Sequence, residues 1–191
     1  NPTDYVDTGL FSDHRNTRMM VRERAMDRSF LNLYCYTGAF TCYAAIGGAK
    51  KTVSVDRSET AIKWVRENLQ LNDLYGSSHD LIQKDTLDFL KSAGPAYEDF
   101  DLAVVDPPSY STTRVTGRHF DIAKDHPHLL NQVFKRMKPG ATVFFSTNHQ
   151  NFDLKTTKLN ITSIDEITSR TIPEDYQNKR KNIHRCWELI V

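Results

Sequence analysis

The residues with the strongest chemical character are Asp106-Pro107-Pro108-Ser109-Tyr110. Proline has no N–H to give to a β-ladder, so two in succession force the chain out of a sheet and leave a rigid rim at its edge. On such a rim a carboxylate and the prolyl carbonyls can hold a flat heteroaromatic base by its hydrogen-bonding edge, and a tyrosine can offer a stacking face. The plainer alternative is a strand-ending turn with a solvated aspartate. Three other positions have matching character. The run Asn32-Leu33-Tyr34-Cys35-Tyr36-Thr37-Gly38 places a glycine where a strand turns into a helix, which lets backbone approach a ligand. It lacks the GxGxxG that a pyrophosphate wants, so a cofactor without pyrophosphate fits better. Asp56 can accept both hydroxyl protons of a ribose. Asp85 can accept from an adenine amino group, although capping a helix that starts at Thr86 is the commoner role for an isolated aspartate.

These positions recur because apolar runs alternate with helical patterns, the βαβ rhythm of a parallel sheet covered on both faces. The pattern predicts strands at 29–36, 52–56, 79–85, 100–106 and 141–147, and helices at 38–46, 58–71, 86–92 and 127–137, the last stopped by Pro139-Gly140. Two further strands are expected at 160–171 and 184–191, closing the sheet edge as an antiparallel hairpin. At the front, 13–27 reads as a helix capped by Ser12 or Asp13, with Met19 and Met26 facing inward and Arg15, Arg18 and Arg22 on a neighbouring basic face. Ligands of such a sheet sit at the carboxyl ends of its strands, where all four candidate positions fall.

At 191 residues the chain is expected to form about one domain: a helical segment at 1–28 that contributes to the cofactor site, and a main unit at 29–191. Lys+Arg 25 against Asp+Glu 24 leaves a net charge of +1, which excludes a polybasic protein held by phosphate neutralisation alone. Any contact with nucleic acid must come from local patches. The candidates are Arg114 and Arg118 after the proline pair, and Lys179, Arg180, Lys181 and Arg185 in the tail, while Glu98, Asp99 and Asp101 gather acids at the other sheet edge. The segment 110–120 is polar enough to act as a lid. No apolar run is long enough for a membrane span, and Cys35, Cys42 and Cys186 form neither an even disulfide set nor a CxxC pair, so a cytoplasmic setting is expected. His119, His126, His128 and His149 lack metal-ligand spacing, and no metal site is expected. A first residue of Asn1 rather than Met suggests a piece of a longer chain.

Taken together, the glycine turn, the strand-end acids and the Asp-Pro-Pro rim resemble class I S-adenosylmethionine-dependent methyltransferases. The match narrows with Asp4-Tyr5-Val6-Asp7-Thr8-Gly9-Leu10-Phe11-Ser12-Asp13-His14-Arg15, Phe30-Leu31-Asn32-Leu33-Tyr34-Cys35-Tyr36-Thr37-Gly38, Asp106-Pro107-Pro108-Ser109-Tyr110-Ser111 and the tail residues Asp175-Tyr176, Arg180 and Ile183-His184-Arg185-Cys186-Trp187. These are similar to the C-terminal, RlmK-type half of bacterial RlmL/RlmKL large-subunit ribosomal RNA methyltransferases. The resemblance implies an α/β, Rossmann-like fold: a mostly parallel seven-stranded sheet with an antiparallel final strand and helices on both faces. It implies methyl transfer from S-adenosylmethionine to N7 of a guanine in 23S ribosomal RNA, with an RNA-binding region and a second methyltransferase domain upstream. It places Phe11 and Arg15 beside the cofactor, the arginine at the methionine carboxylate, with Asn32, Tyr34, Tyr36, Thr37 and Gly38 around the methionine part. Asp56, followed by Ser58, falls to the ribose, and Asp85 with Thr86 to the adenine.

Target chemistry discriminates further. Methylating a pyrimidine at C5 requires a cysteine thiolate beside the base, because carbon is a poor nucleophile. The rim offers Ser109, and the next strand end Ser146-Thr147-Asn148; Cys35 sits on the cofactor turn instead. Guanine N7 has a lone pair and no proton, so it needs orientation rather than a base. Asp106 is then the acceptor for guanine N1–H and N2–H₂, and Tyr110 a stacking wall. The rivals are a cytosine-C5 or exocyclic-nitrogen RNA methyltransferase, a cofactor-binding module without activity, and a dehydrogenase that the missing GxGxxG disfavours.

Overall fold

A computed structural model of the chain describes residues 9–112, 119–177 and 181–191. After a 3-10 turn at Ser12–His14 come α1 (Arg15–Glu23), β1 (Ser29–Leu33), α2 (Ala39–Ile46), β2 (Lys51–Asp56), α3 (Glu59–Leu71), β3 (His79–Gln83), α4 (Thr86–Ser92) and β4 (Phe100–Val105). The small strands β5 (Tyr110–Thr112) and β6 (His119–Asp121) pair with each other, and α5 (Ile122–Phe134), β7 (Met137–Thr147), β8 (Ser163–Glu166), α6 (Thr168–Thr171) and β9 (Arg185–Ile190) complete the chain. The main sheet has seven strands in the order β3-β2-β1-β4-β7-β9-β8. β9 runs antiparallel to β7 and to β8, while β1, β2, β3, β4 and β7 pair in parallel. The order reverses between β1 and β4, so their carboxyl ends open a crevice.

Strand alternation divides the core. Leu31, Leu33, Ala103, Val105, Val143 and Phe145 point to one face, against Phe89 of α4 and Leu129, Leu130 and Val133 of α5. Phe30, Leu102, Val104 and Phe144 point to the other, against Val21 and Ala25 at the first helix and Ala44 of α2. Being covered on both sides, β1 and β4 carry nearly unbroken apolar runs, the reason they were identifiable as parallel strands.

Four boundaries depart from the sequence pattern. β1 stops at Leu33, because Tyr34 and Tyr36 adopt left-handed φ values of 59° and 48° and begin the turn early. Helix α5 starts at Ile122 because Asp121 caps it, accepting from the Ala123 N–H at 3.0 Å, and Pro127 is carried inside it. The Pro139-Gly140 pair does not end that helix. It lies within β7, where the register against β4 slips between Phe100 and Leu102. The strand expected over 160–171 is only β8, since beyond Glu166 the hydroxyl of Thr168 takes the Cys186 N–H and the chain coils into α6.

The first helix is also rotated relative to expectation. Met19 and Met26 are 41% and 65% exposed, and the inward stripe is Thr17, Val21 and Ala25 with Arg18 beside it. The helix ends at Glu23 rather than 27, and neither Ser12 nor Asp13 caps it. Among the described residues, no helix is long and apolar enough to cross a membrane.

Candidate functional site

The crevice between β1 and β4 is a cavity of about 740 Å³. Asn32, Tyr34, Tyr36 and Thr37 line it from the end of β1, Asp56 from β2, and Asp85 and Thr86 from the start of α4 beyond β3. Asp106, Pro107, Pro108 and Tyr110 form the wall after β4, and Phe11 closes the mouth with its ring 5.5 Å from that of Tyr36. Most positions expected at the site therefore converge. Asp56 Oδ2 accepts the Tyr36 N–H at 3.1 Å and Oδ1 the Ser58 N–H at 2.9 Å, which ties the left-handed turn to the second strand. Asp85 Oδ1 accepts from the Leu87 and Asp88 N–H groups at 3.0 and 3.3 Å, so it caps α4 while lining the cavity. Asp106 Oδ1 accepts from the Ser146 hydroxyl at 2.6 Å, leaving Oδ2 toward the cavity side, 3.7 Å from His14 Nε2. Tyr110 is 65% exposed, and its hydroxyl is 3.3 Å from His149 Nε2.

Three expected cofactor residues are not part of the wall. Arg15 points outward and forms a bidentate pair with Asp175, at 3.0 Å on one side. Ser58 caps α3, its hydroxyl accepting from the Ala61 N–H at 3.2 Å. Gly38 adopts φ +75°, and a Cβ there would lie 2.6 Å from Val65 Cγ1, so the glycine serves the close packing of α2 on α3. Of the proposed phosphate contacts, Arg114, Arg118, Lys179 and Arg180 lie outside the described residues. Lys181 is exposed, in a smaller hollow of about 380 Å³ that shares Asn148 with the main cavity. Arg185 is already engaged by Glu166, at 2.9 and 2.7 Å, and by the Phe152 carbonyl. The acids at the far edge are likewise paired, Glu98 with Arg136 and Asp101 with Lys138.

The sequence pattern missed one side of the cavity. Asp13, His14 and Arg18, all buried, line it together with Phe40 of α2. Asp13 Oδ2 lies 2.9 Å from His184 Nδ1, and the rings of His14 and His184 stack at 4.3 Å between centroids. Burial raises the Asp13 pKa, but the His184 hydrogen bond and the neighbouring His14 outweigh it and hold the carboxyl below its ordinary value. Burial likewise pushes His14 below its ordinary 6.5, against the pull of Asp106. The signal available was the Thr17-Val21-Ala25 stripe, which turns Arg18 toward the sheet. Cys35 lies in the wall, and burial with the nearby Asp56 pushes its thiol well above the usual range, the opposite of an activated nucleophile.

Comparison with known proteins bears on this geometry. Residues 3–178 match the family model described as S-adenosylmethionine-dependent methyltransferase. The chain is 40% identical, over 99% of its length, to ribosomal RNA large subunit methyltransferase K of Neisseria meningitidis serogroup B, and it spans 53% of that relative. A crystal structure described as a methyltransferase complexed with S-adenosylhomocysteine superposes with a TM-score of 0.80 at 25% identity, covering 96% of this chain and 50% of that one. A methyltransferase from Streptococcus mutans gives 0.79 at 25% identity, over 98% and 51%. With its sheet order, its crevice between β1 and β4 and these matches, the chain belongs to the S-adenosylmethionine-dependent methyltransferase family.

Proposed function

We propose that this chain is the catalytic domain of a cytoplasmic ribosomal RNA methyltransferase that modifies guanine N7 in 23S ribosomal RNA by direct attack. The observation that carries this is the convergence of Asp106, Pro107, Pro108 and Tyr110 on the same cavity as Asp56 and Asp85, with Cys35 the one thiol in its described wall and unsuited to nucleophilic work. The cofactor's shape suits the wall: acceptors at the ends of β2 and β3 for ribose and adenine, and unpartnered buried polar atoms on His14 and Arg18 at the opposite end. S-adenosylmethionine bound there supplies an electrophilic methyl group on its sulfonium.

The protein's own residues then have modest tasks. Asp106, fixed by Ser146, accepts from guanine N1–H and N2–H₂ and so fixes the base by its edge. Tyr110 stacks on the base, and the two prolines keep the rim rigid and dry. N7 has no proton to lose, so no base is needed. Positioning of two reactants alone can lower a barrier by about 7–11 kcal/mol, enough for a site of this simplicity. The relative from Neisseria meningitidis is named for ribosomal RNA, and the remaining part of a chain of that length is proposed to contain the RNA-binding and second methyltransferase domains.

The test is transfer of labelled methyl to 23S ribosomal RNA purified from cells lacking the modification, followed by nucleoside mass analysis and mapping. N7-methylguanine is the expected product. Label only on an exocyclic nitrogen or on C5 would reassign the target, and cofactor binding without transfer by the full-length protein would favour a non-catalytic module.

A further inference from the structure

The buried polar atoms with no hydrogen-bond partner among the described residues include His14 Nδ1 and Arg18 Nε. Such orphans are uncommon, because a polar group that leaves water without a new partner is costly. Both residues belong to the cavity wall, and a spacing of four on the 3-10 turn and α1 puts them on one face. Arg18 is 3% exposed, has no carboxylate at ion-pair distance among the described residues, donates from Nη1 to the Phe11 carbonyl at 2.7 Å, and sits over the Tyr43 ring at 5.5 Å. A buried guanidinium with an unspent donor is an anion receptor.

His14 has the complementary character. Its Nε2 faces Oδ2 of Asp13 and Oδ2 of Asp106, each at 3.7 Å, which draws the proton of the neutral ring to Nε2 and leaves a lone pair on Nδ1. The stack on His184 and the edge contact to Phe40, 5.9 Å between centroids, fix the ring plane. The surrounding carboxylates favour a cation beside His14 and disfavour an anion, whereas Arg18 favours the reverse. One donor cation and one acceptor flanked by acids, side by side, match a zwitterion.

Resting on the assignment of the cofactor to this cavity, we propose that His14 and Arg18 form the clamp for its amino-acid end: Arg18 takes the α-carboxylate, and His14 Nδ1 accepts from the α-ammonium. Arg15, the residue that the family resemblance placed at the carboxylate, is spent on Asp175 at the surface.

The proposal is tested by calorimetry with two ligands, S-adenosylhomocysteine and 5′-methylthioadenosine, which lacks the amino-acid end. The native chain is expected to prefer the first. In Arg18→Met, affinity for S-adenosylhomocysteine is expected to fall about tenfold or more while that for methylthioadenosine stays within about twofold, as for loss of a charge-assisted contact. The second ligand thereby reports that the variant is folded. His14→Phe keeps the stacking ring and removes the lone pair, and should give a several-fold loss with the same selectivity. Arg18→Lys should retain part of the preference. Equal weakening of both ligands in Arg18→Met, no weakening, or a selective loss in Arg15→Met instead would overturn the clamp. A native chain that binds methylthioadenosine as tightly as S-adenosylhomocysteine would overturn the clamp and leave the nucleoside subsite standing. Binding of neither ligand would overturn the cofactor site itself.

Discussion

The two walls of the cavity are built in different ways. On the strand-end wall the acids are held by their own turns and by adjoining strand ends: Asp85 by Leu87 and Asp88, Asp56 by Ser58 and the Tyr36 turn, and Asp106 by Ser146. On the helical wall the anchors come from the far end of the chain, with Asp13 bonded to His184, Ser12 to Tyr176 and Arg15 to Asp175. The first wall is a property of strand endings, and any sequence that makes the sheet makes it. The second exists only once the tail has docked. Substrate positioning is proposed for the local wall and amino-acid recognition for the assembled one, so damage to each should be separable.

The largest expected effect is on the local wall. Asp106→Asn replaces one acceptor with an amide donor facing the donors of the base, and turnover on RNA at saturating cofactor should fall about a hundredfold, the scale of a small misplacement of reactants. Full turnover in that variant under the same conditions would remove the positioning role. Gly38→Ala tests packing beneath the same turn. The Cβ meets Val65 in a left-handed conformation, so stability should drop by roughly 1–3 kcal/mol in urea unfolding, with part recovered by adding Val65→Ala. An unchanged midpoint would show that the helices can part without cost. Asp56→Asn should weaken S-adenosylhomocysteine binding about tenfold, since a charged acceptor for hydroxyls becomes a neutral one; an unaltered isotherm would take Asp56 off the ribose.

The smallest effect is a pH dependence of stability, tested at a histidine away from both walls. His126 is fully buried, with Nδ1 on the Ile122 carbonyl at 2.7 Å and Nε2 accepting the Lys155 N–H at 3.1 Å, a pattern only the neutral ring satisfies. Burial pushes its pKa below 6.5, and His14 and His79 shift the same way. The unfolded chain therefore binds more protons in this window, and stability present above the ordinary value declines as pH falls through it toward the lowered one. Melting temperature should drop between about pH 7.5 and about pH 5.5. His126→Gln should lose part of that slope, and an identical slope would place the titration elsewhere.

What could be read in advance follows the same division. The Asp-Pro-Pro rim, Asp56 and Asp85 were legible because each stands where an apolar run ends, and strand periodicity fixes which side of the sheet that is. Arg15 and Arg18 could not be separated by type or by spacing alone. Which one turns inward depends on the rotation of α1, set by Thr17, Val21 and Ala25 against the sheet, and on Asp175 waiting at the surface for Arg15. The Pro139-Gly140 pair misled because its usual meaning after a helix was overridden by the slip between β4 and β7.

The placement of β9 between β7 and β8 has a kinetic consequence. This strand follows all the others in sequence yet lies inside the sheet, and His184, immediately before it, completes the Asp13 side of the cavity. Closing a contact between positions so far apart demands that most of the intervening chain be ordered first, so the helical wall is expected among the latest parts to form. Interactions absent from the folding transition state act on the unfolding rate alone. A molecule held by that wall will thus slow the protein's unfolding without hastening its folding, making the cofactor a brake on loss of the native state rather than a template for reaching it.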